Sequence, residues 1–277
     1  MISMKQLITA MAAFLALGLT ACNSSLPAQS ATPPKAKPAA TISSQQLLSD
    51  LWFQTSGEAK ALYYQGYNIG TMRLDQALDK GTEKKPAVVL DLDETVFDNS
   101  PYQAYTAKEN KEYPDQWDKW VASAKAKALP GAIDFLNHAD KKGVDIYYIS
   151  NRKESQKEAT IKNLQLIGAP QATPDHVLLQ QPEEKGKENR RQQVAKNHQI
   201  LLFFGDNLSD FSGFEGKELT ERNAMVEQMK SQFGDKLIIF PNPMYGDWEG
   251  AIYHFDYSKS DEEKDQLRRN HLSEFQP

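Results

Sequence analysis

The sequence predicts an α/β fold built on a parallel, Rossmann-like sheet flanked by helices, and two observations carry the prediction. Four short apolar runs rich in β-branched residues, AVVLDLD (87–93), VDIYYIS (144–150), ILLFFGD (200–206) and KLIIFPN (236–242), each stop at a polar residue, as strands buried on both faces do. Helix-like stretches near 130–142, 154–167, 187–197 and 218–231 alternate with them, and such alternation joins strands by right-handed crossovers into one parallel sheet. Ligands of these sheets lie at the carboxyl ends of the strands. Asp91, Ser150 and Asp206 all fall there.

Taken in order, residues 1–21 read as an address rather than as structure. Lys5 supplies a charged start, residues from about 7 to 19 are apolar, and small residues precede Cys22, the pattern of a secretory signal peptide too short for a comfortable membrane span. Leu19-Thr20-Ala21-Cys22 resembles the bacterial lipobox, in which the chain is cleaved before the cysteine and Cys22 is acylated, palmitate being the usual kind of chain. Asn23 stands where an Asp would resemble an inner-membrane retention signal. The expected location is therefore the bacterial cell envelope, as an outer-membrane lipoprotein, periplasmic or surface-exposed. Residues 22–42 join the acylated cysteine to a flexible tether of Ser, Pro, Ala, Gln and Lys, and the folded domain is expected over 43–277. From Ser43 or Ser44 onward, apolar residues return every three or four positions through LLSDLWFQTSGEAKALYYQGYNIGTMRLDQAL with glycine interruptions, predicting one long or two broken helices.

Thirty-two Lys+Arg against 37 Asp+Glu leave a formal charge of −5, without the basic excess of a nucleic-acid binder, so no nucleic-acid polymer is expected as a partner. The single cysteine excludes an intramolecular disulfide framework. Five histidines without metal spacing, and no C-x-x-C or H-E-x-x-H, leave hard oxygen ligands for any metal, which points to magnesium or a similar ion.

Asp91-Leu92-Asp93 sets two carboxylates two residues apart as a strand ends. Acids that close repel unless a cation or a shared proton intervenes. One can then be an ionised nucleophile and metal ligand and the other a proton carrier; an isolated D-x-D is otherwise a solvated acidic loop. The second strand ends Ile149-Ser150-Asn151-Arg152, where a hydroxyl and free N–H groups can hold an anion or simply cap a helix. Lys185-Gly186-Lys187-Glu188-Asn189-Arg190-Arg191 opens a helix and offers a lysine to phosphate oxygens; by itself it is a solvated charged face. Gly205-Asp206-Asn207-Leu208-Ser209-Asp210 ends the third strand with acids four apart, which together with Asp91, a backbone carbonyl and waters can complete an octahedral magnesium site.

That order, a strand-end D-x-D, a strand-end Ser, a helix-start Lys and a strand-end G-D-x-x-x-D, resembles the haloacid-dehalogenase superfamily of aspartate-nucleophile phosphotransferases. The fuller strings DLDETVFDNSPY (91–102), SNRK (150–153), GDNLSDF (205–211) and PNPMYGDWEG (241–250) are similar to those of the class C bacterial acid phosphatases, the lipoprotein e family of 5'-nucleotidases. The similarity runs from the lipobox to about Trp248. It implies a haloacid-dehalogenase fold with a smaller helical cap subdomain. The implied activity is that of a magnesium-dependent acid phosphatase hydrolysing nucleoside 5'-monophosphates, nicotinamide mononucleotide and aryl phosphates through an aspartyl-phosphate. In that scheme Asp91 is the nucleophile and Asp93 the proton carrier. Asp91, Asp206 and the Asp93 carbonyl hold Mg2+, with Asp210 just behind, and Ser150 and Lys187 hold phosphoryl oxygens. The Lys-x-x-Arg spacing to Arg190 resembles the family pattern and selects Lys187, with Lys185 left open.

The 50 or so residues between Asp93 and the second strand contain Tyr102, Tyr105, Tyr113, Trp117 and Trp120, more aromatics than a crossover helix needs. With the helices before Pro86 they are expected to form the cap, over about 43–80 and 96–128. Trp117 and Tyr245 resemble the family positions whose rings face the non-phosphate half of the substrate. Expected partners are a small phosphomonoester and, through the lipid anchor, the outer membrane, with a homodimer left open. A mildly acidic optimum follows from the need for a protonated Asp93. Two other functions stay open at this level: a surface lipoprotein capturing a ligand such as haem without turnover, and a phosphotransferase passing the group to another alcohol.

Overall fold

The computed structural model describes residues 41–276, so the leader, Cys22 and all but the end of the tether lie outside the described residues. Three helices come first: α1 (Ile42–Gln45), α2 (Leu47–Thr55) and α3 (Gly57–Asp79). The expected breaks fall at Gln46 and Ser56 and not at the glycines. Ser56 is extended, and its hydroxyl accepts the Ala59 N–H at 3.0 Å, capping α3. The glycines inside α3 have another use: a Cβ on Gly70 would stand 2.6 Å from the Phe204 ring. Gly66 and Gly70 let the helix lie directly on the aromatic layer of the sheet.

That sheet has five parallel strands in the order β5-β4-β1-β6-β7, formed by β1 (Lys85–Leu90), β4 (Asp145–Lys153), β5 (Val177–Gln180), β6 (His198–Gly205) and β7 (Leu237–Ile239). All four predicted strands are present, with β1 at the centre, paired to β4 and β6. β5 is the strand not anticipated: its four residues alternate in burial, too short a run for periodicity to single out. The connecting helices are α6 (Ala132–Lys141), α7 (Lys157–Leu166), α8 (Glu188–Asn197) and α9 (Leu219–Met229).

Between β1 and α6 the chain makes a two-residue-per-strand ribbon, β2 (Phe97–Asp98) with β3 (Lys127–Ala128), and inserts α4 (Ser100–Glu109) and α5 (Trp117–Ser123). Tyr102, Trp117 and Val121 make the small core of this insertion, with Tyr105, Trp120 and Ala159 packed against it. α3, by contrast, packs on the sheet. Tyr67 lies 5.7 Å from Phe204 and 4.7 Å from Phe240, and Tyr63 stacks on Phe240 at 4.8 Å between centroids. The chain ends in α10 (Asp247–Gly250) and α11 (Asp261–Asn270), the latter opened by a Ser260/Glu263 capping box. Among the described residues no helix is long and apolar enough to cross a membrane.

Candidate active site

Asp91 is the first residue beyond β1, and its backbone N–H still bonds to Phe204 O at 3.0 Å. The chain then folds back sharply: Leu92 O accepts from Val96 N at 2.9 Å and Phe97 N at 2.7 Å. The turn requires Glu94 to adopt φ 58°, a left-handed conformation uncommon outside glycine. Four contacts hold it there. Glu94 N donates to Phe97 O at 2.9 Å, Tyr63 Oη donates to Glu94 O at 2.5 Å, and Asn99 N and the Tyr245 hydroxyl donate to its two carboxylate oxygens. Tyr67 Oη donates to Thr95 O at 2.7 Å. Thus α3, seated on the sheet by its glycines, also fixes the loop that carries both acids.

Around Asp91 the predicted residues converge. Carboxylate oxygens of Asp91, Asp206 and Asp210 lie within 4.8 Å of one another. Lys187 Nζ bonds Asp91 Oδ1 and lies 2.6 Å from Asp210 Oδ1, and the lysine is 6 % exposed. Lys185 is exposed, so Lys187 is the lysine delivered to the cluster. Gly205 has no side chain because Asp210 lies against it. Burial, opposed by Lys187 and reinforced by Asp210 and Asp93, pushes the Asp91 carboxyl up to about 7. Burial, then Asp210 and Asp91, hold Asp206 well above the usual carboxylate range. For Lys187, burial favours the neutral amine, but Asp210 and Asp91 outweigh it and the ammonium is strengthened. One cation among three clustered acids, two of them buried, would leave negative charge uncompensated once all three ionise, and the donors are all hard oxygens; a divalent ion fits both facts.

Asp93 lies to one side, against β4. Its Oδ2 accepts from Ser150 Oγ at 3.2 Å, and Arg152 and Asn99 grip its Oδ1. Trp117 is not delivered to an open surface. It is 7 % exposed, edge-on to Tyr102, with the Arg152 guanidinium over its ring at 5.4 Å. The exposed ring beside it is Tyr113, 64 % exposed and 5.9 Å from Trp117. Tyr245 is half-buried, tied by its hydroxyl to Glu94.

Several contributors were not singled out from the sequence. Thr95 Oγ1 lies 3.3 Å from both Asp91 Oδ2 and Asp206 Oδ1, and Asn242 Nδ2 donates to Asp206 Oδ2 at 2.8 Å. Asn242 closes the KLIIFPN run, so the strand-end rule that found the others applies to it as well. Arg190, noted in the sequence only for its spacing from Lys187, ties the β4 end to the Lys187 turn, donating to Ser150 O and Gly186 O at 2.6 Å each. Arg191 holds Ser209 O and Asp210 O at 3.1 and 3.0 Å.

Comparison with known proteins fits this geometry. Residues 13–248 match the family model described as HAD superfamily, subfamily IIIB (Acid phosphatase). The class C acid phosphatase from Bacillus anthracis is 63% identical, with a TM-score of 0.83 over 84% of this chain and 99% of that one. A second structure of it, with tungstate bound, gives a TM-score of 0.84 at the same identity, over 85% and 99%. Among curated sequences, acid phosphatase 1 of Solanum lycopersicum is 24% identical over 70% of this chain and 76% of its own length.

Proposed function

The chain belongs to the acid phosphatases of HAD subfamily IIIB, phosphomonoester hydrolases, and from that premise we propose that it is a magnesium-dependent enzyme working through an aspartyl-phosphate on Asp91. One observation carries the proposal: Asp91, Asp206, Asp210 and Lys187 meet at the carboxyl end of the central strands, with Asp93 beside Ser150 at its edge. An Asp91 oxygen attacks phosphorus as the bond to the leaving oxygen breaks, and Asp93 gives that oxygen its proton. Water then attacks phosphorus, returns a proton to Asp93, and the bond to Asp91 breaks to release phosphate. Lys187 and Ser150 hold the other phosphoryl oxygens and offset the charge that develops on them. Mg2+ held by Asp91, Asp206 and the Asp93 carbonyl, with Asp210 behind, would screen the repulsion between phosphate and carboxylate. The first step uses a protonated Asp93 and an ionised Asp91, and a cation held beside Asp91 would favour its carboxylate, so the rate is expected to be highest in mildly acid solution.

The substrates are nucleoside 5'-monophosphates, nicotinamide mononucleotide and aryl phosphates. Tyr245 takes one face of the ring; Trp117 acts on the other through Tyr113, which it backs. Phosphate release from adenosine monophosphate, nicotinamide mononucleotide and p-nitrophenyl phosphate, with magnesium or EDTA, tests this. Release in magnesium, lost in EDTA and in Asp91→Asn, supports the scheme; equal release in EDTA contradicts it. The lipobox sequence supports acylation at Cys22 and an outer-membrane location; labelled palmitate incorporation that survives Cys22→Ala would contradict it.

A further inference from the structure

We infer that Arg152 is a positioning residue that fixes the Asp93 carboxyl with Oδ1 anchored and Oδ2 turned toward Ser150, an inference resting on Asp93 being the proton carrier. The Arg152 side chain is 1 % exposed. Its guanidinium lies 4.9 Å from the centre of the Phe97 ring and 5.4 Å from that of Trp117, and its Nη1 donates to Thr160 Oγ1 at 3.2 Å. A guanidinium held by two aromatic rings and a hydroxyl has no rotamer left to choose, so its remaining donors point one way.

They point at Asp93. Oδ1 accepts from Arg152 Nη2 at 2.7 Å, Arg152 Nε at 3.0 Å and Asn99 Nδ2 at 2.7 Å. Oδ2 has only the longer contacts, from Arg152 Nε at 3.1 Å and Ser150 Oγ at 3.2 Å. The Asn99 amide has one consistent orientation, because the Trp120 indole only donates to its Oδ1, at 2.8 Å, and a carboxylate only accepts from its Nδ2. Oδ1 is therefore the anchored atom. Oδ2 faces Ser150, the residue proposed to hold phosphate, and is the oxygen free to give and take a proton. A carboxyl protonated on Oδ2 keeps its Oδ1 bonds to Arg152 and Asn99, so one clamp serves both halves of the reaction.

The leaving group separates positioning from mere structure. An alkoxide needs the proton as the bond to phosphorus breaks, whereas p-nitrophenolate departs without it. The experiment measures kcat/KM for adenosine 5'-monophosphate and p-nitrophenyl phosphate in wild type, Asp93→Asn, Arg152→Lys and Trp120→Phe, with the folded state of each checked by circular dichroism. Asp93→Asn is expected to lose about 100-fold more on the nucleotide than on the aryl ester. Arg152→Lys keeps the charge and loses the fork, and is expected to lose roughly tenfold more on the nucleotide; Trp120→Phe shifts the same way by less. A selective Asp93→Asn with unselective Arg152→Lys and Trp120→Phe overturns the positioning role and leaves the proton carrier standing. An unselective Asp93→Asn overturns the proton carrier and the positioning role together. Should Arg152→Lys not fold, Trp120→Phe decides, since it leaves the buried ion pair in place: no selectivity there overturns the inference.

Discussion

Lys185 and Lys187 stand two residues apart and differ completely in surroundings. Lys187 pairs with Asp91 and Asp210, while Lys185 faces solvent. Removing the buried ammonium leaves three acids facing one another and, in the proposed mechanism, takes a donor from the phosphoryl oxygens. Lys187→Met is therefore expected to lower kcat for p-nitrophenyl phosphate by about 100-fold or more, and Lys185→Met to leave it within about twofold, solvated charges being weak contributors. Comparable losses in both would contradict the assignment. Residues such as Asp91, Ser150 and Asp206 were legible because strand ends are legible. Arg152 was not: its partner Asp93 is 59 residues away in the chain, and no local pattern encodes that meeting. Thr95 and Asn99 sit only 4 and 6 residues from Asp91 and Asp93, but their use depends on a turn whose shape the sequence does not spell out, with Asp206 and Trp120 closing on it from 111 and 21 residues away.

At the scale of elements, α3 shows how a sequence feature can be noticed and its purpose still be hidden. Glycine in a helix reads as an interruption, yet Gly70 is where the helix touches Phe204. Gly70→Ala forces the ring or the helix to shift and is expected to cost about 1–3 kcal/mol. Gly57→Ala, at the first position of α3 with nothing within 4 Å of the added carbon, is expected to be neutral or slightly stabilising; urea unfolding of the two variants checks the contrast. α2 carries a second test. Asp50 is buried, its Oδ2 has no partner, and burial, only partly offset by the Gln46 amide, pushes its carboxyl up to about 6. The folded chain thus holds the Asp50 proton more tightly than the unfolded chain. The resulting penalty is absent below about pH 4, grows as the pH rises to about 6 and then levels off, on the order of 3 kcal/mol. Asp50→Asn is expected to raise the melting temperature at pH 7.5 and leave it unchanged at pH 4; the same rise at both would contradict this origin.

For the whole molecule, the informative segment is the one that carries no family signature. The family match ends at residue 248, but the fold continues into α11, which returns to the start of the described chain. Asp265 Oδ1 accepts from Gln45 Nε2 at 2.7 Å, and Arg268 donates to Gln45 Oε1 at 2.9 Å and pairs with Glu249. Lys264, 6 % exposed, reaches Glu112 in the loop between α4 and α5 at 3.2 Å. One helix therefore ties together α1, α10 and the insertion bearing Tyr113 and Trp117, and these contacts reach neither the Asp91 loop nor the β6 end. Stability and chemistry should then separate on truncation. Deleting 261–277 removes these ion pairs and one of the two helices outside its own segment that hold α1, the other being α4, so the melting temperature is expected to fall by about 5 °C. Turnover of p-nitrophenyl phosphate at 25 °C should stay within about threefold, because loosening of a peripheral unit need not reach the sheet. A nucleotide held as proposed, by the rings of the insertion, should suffer a rise in KM with kcat nearly unchanged. A folded truncated protein with kcat lost on both substrates would show instead that α11 orders the acidic cluster itself, and that the family match ends short of a part the chemistry requires.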